Sequence, residues 1–373
     1  MKRCCHITIA HSYLDNRIFG KECKTLAAAG YSMTLIAPGQ KSAFEDNIKI
    51  VAIGKFGSRR SRFFIMNWRA LFAALNQKAD LYHFHDPDFL FFGFAYLLKI
   101  ISRKSVIYDV HEDYAQVVLS REWIPVYARR FLSGFLKHWE IFCTRHSTDY
   151  IVAATPAIAK NFGTERVLDI KNYPIESDFA GFAAKTSFPL KQNCCLIYAG
   201  GMERIRGIKE LVQALEYYEN WRLILAGFFG EDKFGREIKN LAGWEKVNFL
   251  GQVDFKTVTK NYKIADIGVI IFYPVKRFKE SLPVKMFEYM AAGIPVIASD
   301  FPVWKKIIEG NKCGICIDSA DPAKIAKAVA YLLYNPQKAL EMGKNGREAV
   351  RREFNWRVEG NKLVSIYDKL IGK

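Results

Sequence analysis

Glu280-Ser-Leu-Pro-Val-Lys-Met-Phe-Glu288-Tyr-Met-Ala-Ala-Gly-Ile-Pro-Val-Ile-Ala-Ser-Asp300 is the stretch on which the reading of this chain turns. Two carboxylates stand eight positions apart, the first in a loop and the second inside a short helix. Pro283 is suited to be the first helical residue, because its missing N–H would have no partner there anyway. Free N–H groups at that helix start, with Lys285 beside them, suit a diphosphate. The carboxylates suit sugar or ribose hydroxyls. Pro295–Ala298 then reads as a short apolar strand.

The same strand–helix alternation runs outward in both directions. The first half offers strands at Ile7–Ala10, Ser32–Ala37, Lys49–Ile53, Leu81–His85, Ser105–Val110 and Tyr150–Ala154. The second offers Cys195–Ala199, Arg222–Ala226, Val247–Leu250, Ile267–Phe272, Pro295–Ala298 and Gly314–Ile317. Near-continuous apolar strands between helices imply buried parallel sheets, hence an α/β chain with two doubly wound domains and a cleft between them. The break is expected between Asp178 and Gln192, which lacks periodicity. In such sheets ligands bind beyond the carboxyl ends of the strands, where the motifs of this chain fall.

The 373 residues exceed one comfortable core, and half of them are hydrophobic. A formal charge of +17 points to anionic partners. Nucleic acid is disfavoured, because no zinc-finger, RNP or helix-turn-helix pattern accompanies the charge. Met1-Lys-Arg leads into a segment too short and polar for a signal-peptide core. The most hydrophobic run, Phe89 to Leu98, is about half the ~20 residues needed to span a bilayer. A cytoplasmic protein is expected, in peripheral contact with the inner membrane face if its basic surface is used. The eight cysteines are scattered as reduced thiols would be, and Cys313-Gly-Ile-Cys316 lacks the second pair of a zinc site.

Tyr198-Ala-Gly-Gly-Met-Glu-Arg-Ile-Arg-Gly207 follows a strand and opens a helix. Gly200 and Gly201 let backbone approach a phosphate or simply form a tight turn, and Arg206 supplies charge near the helix start. Nearer the N-terminus, His11-Ser-Tyr-Leu-Asp15-Asn-Arg17 links the first strand to a helix that Asp15 or Asn16 can cap. His83-Phe-His85-Asp-Pro and Tyr108-Asp-Val-His111 each end a strand. Metal binding by His83, His85 and Asp86 is disfavoured, since alternation turns the intervening Phe84 to the opposite face.

Gly200 to Gly207, the Glu280-x7-Glu288 element and Ala292-Gly-Ile-Pro-Val-Ile together resemble the retaining nucleotide-sugar glycosyltransferases called glycosyl transferases group 1. These carry two Rossmann-like domains facing across a cleft, the GT-B architecture. The resemblance implies an acceptor-side domain over residues 1–180 and a donor-binding domain over 190–353. Residues 354–373 would form a C-terminal helix crossing back to the first domain. It implies that Arg206 holds the donor diphosphate and that Glu280 lies near the donor sugar with Ser281 and Leu282. Glu288 would accept from the ribose, and His111 would contact the transferred sugar. Asp15, Arg17 and His85 would line the acceptor side, with Arg17 the preferred functional residue. Transfer would retain anomeric configuration and need neither metal nor cofactor, the nucleotide sugar being a co-substrate. One departure stands out: many members carry arginine directly after the first glycine of the loop, where this chain has Gly201. Lys285 can supply the missing phosphate charge or be a surface charge.

From Ile48 to Ala79 no acidic residue occurs, while Lys49, Lys55, Arg59, Arg60, Arg62, Arg69 and Lys78 interleave with Phe63, Phe64 and Trp68. Ile124, Tyr127, Ala128, Phe131, Phe135, His138, Trp139 and Phe142 mark one helical stripe, with Arg129, Arg130 and Lys137 on the other side. That helix can lie on an anionic membrane or pack its stripe against the first domain. The expected enzyme is therefore a glycosyltransferase with a saccharide or lipid-linked acceptor, building a bacterial surface polysaccharide (lipopolysaccharide or capsule) or a glycolipid. A nucleotide-sugar epimerase and a non-catalytic nucleotide-sugar or anionic-polymer binding module remain as alternatives, separated by the products formed.

Overall fold

The apolar runs fold as two parallel sheets, one in each of two units. The computed structural model describes residues 1–55, 62–119, 124–163, 165–182, 185–189, 193–318 and 321–372. One unit comprises Met1–Asn172 with Trp356–Lys373, the other Tyr173–Asn355.

The first unit carries β1 (Arg3–Ile7), β2 (Ser32–Ala37), β3 (Ala43–Glu45), β4 (Ile48–Ala52), β5 (Leu81–Phe84), β6 (Ser105–Val110), β7 (Tyr150–Ala153) and β8 (Val167–Asp169). Their order is β3-β4-β2-β1-β5-β6-β7-β8, with only the β3/β4 pair antiparallel. The chain starts in the middle, winds one way to β4, then resumes from β5 on the other side of β1. The carboxyl ends of β1 and β5 thus flank the point where winding reverses, the place where such sheets form a crevice.

The first strand runs Arg3–Ile7 rather than Ile7–Ala10. It stops at Ile7 because Asp86, just past β5, takes up the next polar groups: Thr8 Oγ1 donates to Asp86 Oδ2 at 2.8 Å and the Ile9 N–H at 2.6 Å. Asp86 is therefore a loop clamp, and the shift turns His6 into a core residue.

The second unit carries β9 (Cys194–Ala199), β10 (Trp221–Ala226), β11 (Val247–Gly251), β12 (Ile267–Ile270), β13 (Val296–Ser299) and β14 (Gly314–Ile317), in the wholly parallel order β11-β10-β9-β12-β13-β14. Winding reverses here between β9 and β12. Gly200 follows β9 directly, and the Glu280 loop lies downstream of β12. Pro283 is the residue before the Val284–Ala292 helix and not its first turn; its ψ of 125° is extended. Cys313 and Cys316 flank or lie in β14, as free thiols.

The second unit begins at Tyr173, ahead of the aperiodic segment Asp178–Gln192. Tyr173, Phe179, Phe182 and Phe188 explain this, because all four are buried in the second core. At the other end Phe354 packs edge-on with Tyr173 in that core. The Trp356–Ile371 helix groups with the first unit. Trp356 Nε1 donates to Thr25 Oγ1 at 2.8 Å, Glu359 Oε2 accepts from the Lys171 N–H at 3.0 Å, and Leu363 and Tyr367 are fully buried.

The Val126–Ser147 helix does not pack its aromatic stripe inward. Tyr127, Phe131 and Phe135 are 87%, 75% and 55% exposed, while Glu140, Thr144 and Ser147 face the interior. Glu140 accepts from Tyr108 Oη at 3.0 Å, and burial pushes its pKa up to about 7. Between the ordinary value of 4.5 and about 7 the folded chain holds a proton that the unfolded chain has lost, so stability falls as pH rises. Glu140→Gln should therefore match wild type below pH 4.5 and be more stable than wild type above about pH 7. Chemical denaturation across that range checks it, and a variant less stable at alkaline pH would refute the assignment.

Candidate functional site

The second unit gathers cations around the glycine loop. Gly200 has φ +139°, and Tyr198 Oη donates to the Gly201 carbonyl at 2.8 Å, which sets the turn. The Lys285 side chain from the Val284–Ala292 helix lies against Gly200, so a Cβ there would collide with its ammonium. Its Nζ sits 4.0 Å from the Tyr198 ring centroid. Although Lys285 as a whole is half-buried, Nζ itself is covered and has no hydrogen-bond acceptor among the described residues. Burial, then the charge of Arg206, hold its pKa well below the lysine value, with Glu288 and Glu203 pulling the other way. A solvated surface charge is excluded.

Arg206 lies 5.5 Å from the Phe272 ring centroid; its Nε is also buried without an acceptor among the described residues, while its Nη2 is 3.9 Å from Glu203. Arg277 repeats the pattern: its Nε lacks an acceptor, and its Nη2 is 3.5 Å from Glu203. Sequence reading missed Arg277, because nothing in Lys276-Arg277-Phe278-Lys279 distinguishes one cation from its neighbours. At Gly201 a Cβ would meet Arg206 and Phe228 only at ordinary contact distances of 3.9–4.0 Å. The arginine that the family often has there is thus not sterically barred.

Glu288 is nearly buried and accepts from Tyr262 Oη at 2.7 Å. It lines a cavity of about 300 Å³ with Gly200, Gly201, Gly227, Phe228 and Val258. Lys285 and Arg206 thus approach Gly200 and Gly201, which line the same hollow as the Glu288 carboxylate, an arrangement suited to a phosphate with a hydroxyl-bearing group beside it. Glu280 follows the Lys276–Lys279 helix and is exposed. Ser281 Oγ donates to the Phe278 carbonyl, its own carbonyl accepts from Trp304 Nε1 at 2.8 Å, and Leu282 packs on the core. Ser281 and Leu282 therefore anchor the loop that presents Glu280.

In the first unit the expected residues divide into one at the surface and others behind it. Asp15 is the helix cap, accepting from the Arg17 and Ile18 N–H groups at 2.9 Å each. Arg17 does not face a ligand. It is 5% exposed, with Nε and Nη2 donating to Asp109, Nη1 to the Ile170 carbonyl, and Nε 3.0 Å from Glu22. Burial opposes its charge, but Asp109 and Glu22 outweigh it and raise its pKa. Burial would likewise raise Asp109, yet Arg17 and then His111 hold it well below the carboxylate range. Glu22 goes the other way, raised well above the ordinary glutamate value by burial and then by Asp109, with Arg17 opposing them.

His85 is wholly buried, behind His111, whose side chain is 17% exposed. His111 Nε2 lies 3.1 Å from Asp109 Oδ2, and His85 Nδ1 lies 3.3 Å from the same oxygen. Glu22, His83, His85 and Asp109 bring donor atoms of metal-binding type within 4.8 Å of one another. The Arg17 guanidinium lies against both carboxylates and supplies the cation that such a cluster needs. Asp109 was legible: it stands two residues before His111 at a strand end, so both share a face.

Lys285 gives a pH signature. Between its depressed value in the fold and the ordinary value near 10.5, the unfolded chain binds a proton that the folded chain lacks, so ligand-free stability rises with pH. Lys285→Met should remove that rise and stabilise the ligand-free protein near neutral pH. Thermal unfolding from about pH 7 to about pH 10 tests this; an unchanged slope in the variant counts against it.

Residues 183–349 match the family described as glycosyl transferases group 1, and residues 20–169 match Glycosyltransferase Family 4. An uncharacterized glycosyltransferase of Methanocaldococcus jannaschii is 25% identical over 239 residues, 60% of this chain and 59% of the relative. A phosphatidyl-myo-inositol mannosyltransferase of Mycobacterium leprae is 28% identical over 167 residues, 44% of this chain and 43% of the relative. The matched stretches thus span about half the length of these curated relatives. The solved sucrose-phosphate synthase of Thermosynechococcus elongatus superposes with a TM-score of 0.74 at 18% identity, covering 99% of each chain. Both α/β units are of the GT-B type in fold, and the match to the glycosyl transferases group 1 model lies in the second of them, over residues 183–349.

Proposed function

We propose that this chain is a retaining glycosyltransferase that moves a sugar from a nucleotide-diphosphate sugar to a saccharide or lipid-linked acceptor, a precursor of surface polysaccharide or glycolipid. One observation carries the reading. Lys285 Nζ and Arg206 Nε are covered and lack acceptors among the described residues, and both side chains approach the glycines, Gly200 and Gly201, that line one cavity with Glu288; Arg277 Nε is covered in the same way. A covered ammonium without an acceptor is costly unless an anion arrives, and a diphosphate supplies acceptors for Lys285 and for the Nε donors of the two arginines, whose outer nitrogens approach Glu203.

The chemistry follows from that arrangement. The bond between the anomeric carbon and the β-phosphate oxygen breaks, and its electron pair stays on the departing nucleoside diphosphate. The acceptor oxygen bonds to the same face of the anomeric carbon, and its proton passes to the departing phosphate oxygen. Arg206, Arg277 and Lys285 offset the charge that grows on the phosphate, a role these residues fill without a metal or cofactor. Glu280 holds sugar hydroxyls, Glu288 the ribose, and His111 a hydroxyl of the transferred sugar.

The acceptor reading rests on the first unit's surface. Phe131 and Phe135 on the Val126–Ser147 helix, with Phe64, Trp68 and Phe72, stay exposed beside Arg130 and Lys137. Arg59, Arg60 and the side chain of Arg62, which belong to the same basic stretch, lie outside the described residues. Aromatic side chains interleaved with cations suit the interface of an anionic bilayer. The M. leprae relative, by its name, acts on an inositol lipid. We place the protein at the inner face of the cytoplasmic membrane as a peripheral enzyme.

A thermal-shift screen of nucleotide sugars, followed by turnover with the stabilising donor, tests the reading. A ligand at 100 times its dissociation constant adds ~2.7 kcal/mol. Arg206→Met should cost roughly 10²–10³ in kcat, and Lys285→Ala should weaken donor binding. Unchanged donor affinity in Lys285→Ala would remove lysine from the phosphate site. An isomerised nucleotide sugar in place of a glycoside would make the enzyme an epimerase, and binding without turnover a binding module. Co-sedimentation with anionic but not neutral vesicles, weakened by Phe131→Ser with Phe135→Ser, checks the membrane contact; failure to bind at any salt concentration refutes it.

A further inference from the structure

The first unit holds, just past β1, a histidine that the proposed chemistry does not use. The His11 ring centroid lies 5.5 Å from that of His111. Its main chain is fixed on both sides. The His11 N–H donates to Thr8 Oγ1 at 3.0 Å, and Thr8 is itself clamped by Asp86. The Asp15 N–H donates to the Ser12 carbonyl at 3.0 Å, which closes the loop as a turn. The His11 side chain is 38% exposed, and its nitrogens lie 3.8 Å from Asp15 Oδ2 and 3.7 Å from Asp86 Oδ1, both beyond hydrogen-bond length.

Each of these carboxylates has one oxygen already engaged by the main chain. Asp15 Oδ1 accepts from the Arg17 and Ile18 N–H groups, and Oδ2 is the oxygen nearer His11 Nδ1. Asp86 Oδ2 accepts from Thr8 Oγ1 and the Ile9 N–H, and Oδ1 is the oxygen nearer His11 Nε2. Asp86 is buried, whereas the Asp15 side chain is 31% exposed, so the gap between His11 and Asp15 is the one a ligand can reach. A group that fills it must donate to a carboxylate and accept from an imidazole N–H. A hydroxyl does both. A phosphate oxygen only accepts, and the two carboxylates beside the ring repel it.

We propose that His11 and Asp15 form a hydroxyl-binding site for the acceptor, and that the acceptor presents an uncharged sugar or other polyol there. Any phosphate that links it to a lipid then lies away from His11. His11 is a substrate-contact residue beside His111. Asp15 has two tasks: one oxygen caps its helix, and the other accepts from the bound hydroxyl. The fixed main chain holds both side chains in place before the acceptor arrives, so little ordering is left to binding. The inference rests on the reading of the first unit as the acceptor side of a glycosyltransferase.

Carbon–proton spectra of the histidine rings in the full chain at constant pH test it, with His11 identified by the signal that His11→Gln loses. In titrations to the limit of solubility, at least one of a panel of neutral methyl glycosides should shift the His11 signal, and inorganic phosphate should not. A signal moved by phosphate and by no glycoside overturns the proposal, and so does one that nothing moves. In transfer to the glycoside that binds, Asp15→Asn keeps a capping oxygen but puts an amide donor where the second acceptor stood. It should raise the acceptor KM about tenfold, the scale of one hydrogen bond to a charged group, with the donor KM unchanged. His11→Ala should do the same, and the double variant should lose no more than either alone, because one bridging hydroxyl serves both. Additive losses, or acceptor KM values at the wild-type level, overturn the shared site. A glycoside that binds at His11 in a protein that transfers no sugar would instead overturn the functional reading and leave the hydroxyl site standing.

Discussion

The ammonium of Lys285 is enclosed by protein with nothing to accept its protons among the described residues, and the ligand chemistry of the second unit follows from that unmet charge. Burying a cation without a partner costs several kcal/mol unless the group sheds its proton or gains an anion. The surroundings keep both options open. The Tyr198 ring face gives partial compensation at 4.0 Å, while Glu288 and Glu203 act from farther off without binding it directly. Gly200 is needed because any side chain there would displace the lysine. The glycine loop thereby serves a cation as well as a turn.

The first unit handles the same ingredients in the opposite way. Arg17 is deeply buried too, yet its nitrogens meet Asp109, Glu22 and the Ile170 carbonyl. A guanidinium whose nitrogens are met by buried carboxylates and a carbonyl fixes geometry and offers no open donor to a ligand. The contrast separates the two units by function. A buried cation with open donors marks a place for an anion, and one with closed donors marks a scaffold. His111 stands at the edge of that scaffold, partly exposed, with its Nε2 3.1 Å from Asp109.

Much of this was legible where periodicity is strong. The strands Ser32–Ala37, Ser105–Val110 and Gly314–Ile317 fall at the residues expected from their apolar runs. The failures have local causes. Strand β3 was overlooked because it is three residues long and wholly exposed, although Asp46-Asn47, both at positive φ, is the kind of turn that hairpins favour. Arg17 was read as a ligand residue because its burial depends on Asp109 and Ile170, far away in sequence. Tyr367 lies more than 280 residues from its histidine partners, a distance over which no pattern in a single sequence speaks. Glu288 and Lys285 were readable for the opposite reason: one helix carries both, three residues apart, directly after the loop that holds Glu280.

The Val126–Ser147 helix breaks the pattern that the rest of the chain obeys. Glu140 and Thr144 point inward, and Phe131, Phe135 and Phe142 point out. Turning the helix about its axis would cover the aromatic stripe, and each aromatic ring offers 150–250 Å² to bury. That rotation would break the Glu140–Tyr108 bond and leave a buried tyrosine hydroxyl without its acceptor. The interior is thus specified by polar partners and the exterior by apolar ones, which is stable in water only as a compromise. The membrane contact proposed above would relieve it, since the rings would leave water while Arg130 and Lys137 stayed at the boundary. A local violation of the burial rule with intact polar pairing behind it is the signature of a surface shaped for contact rather than of a poorly packed helix.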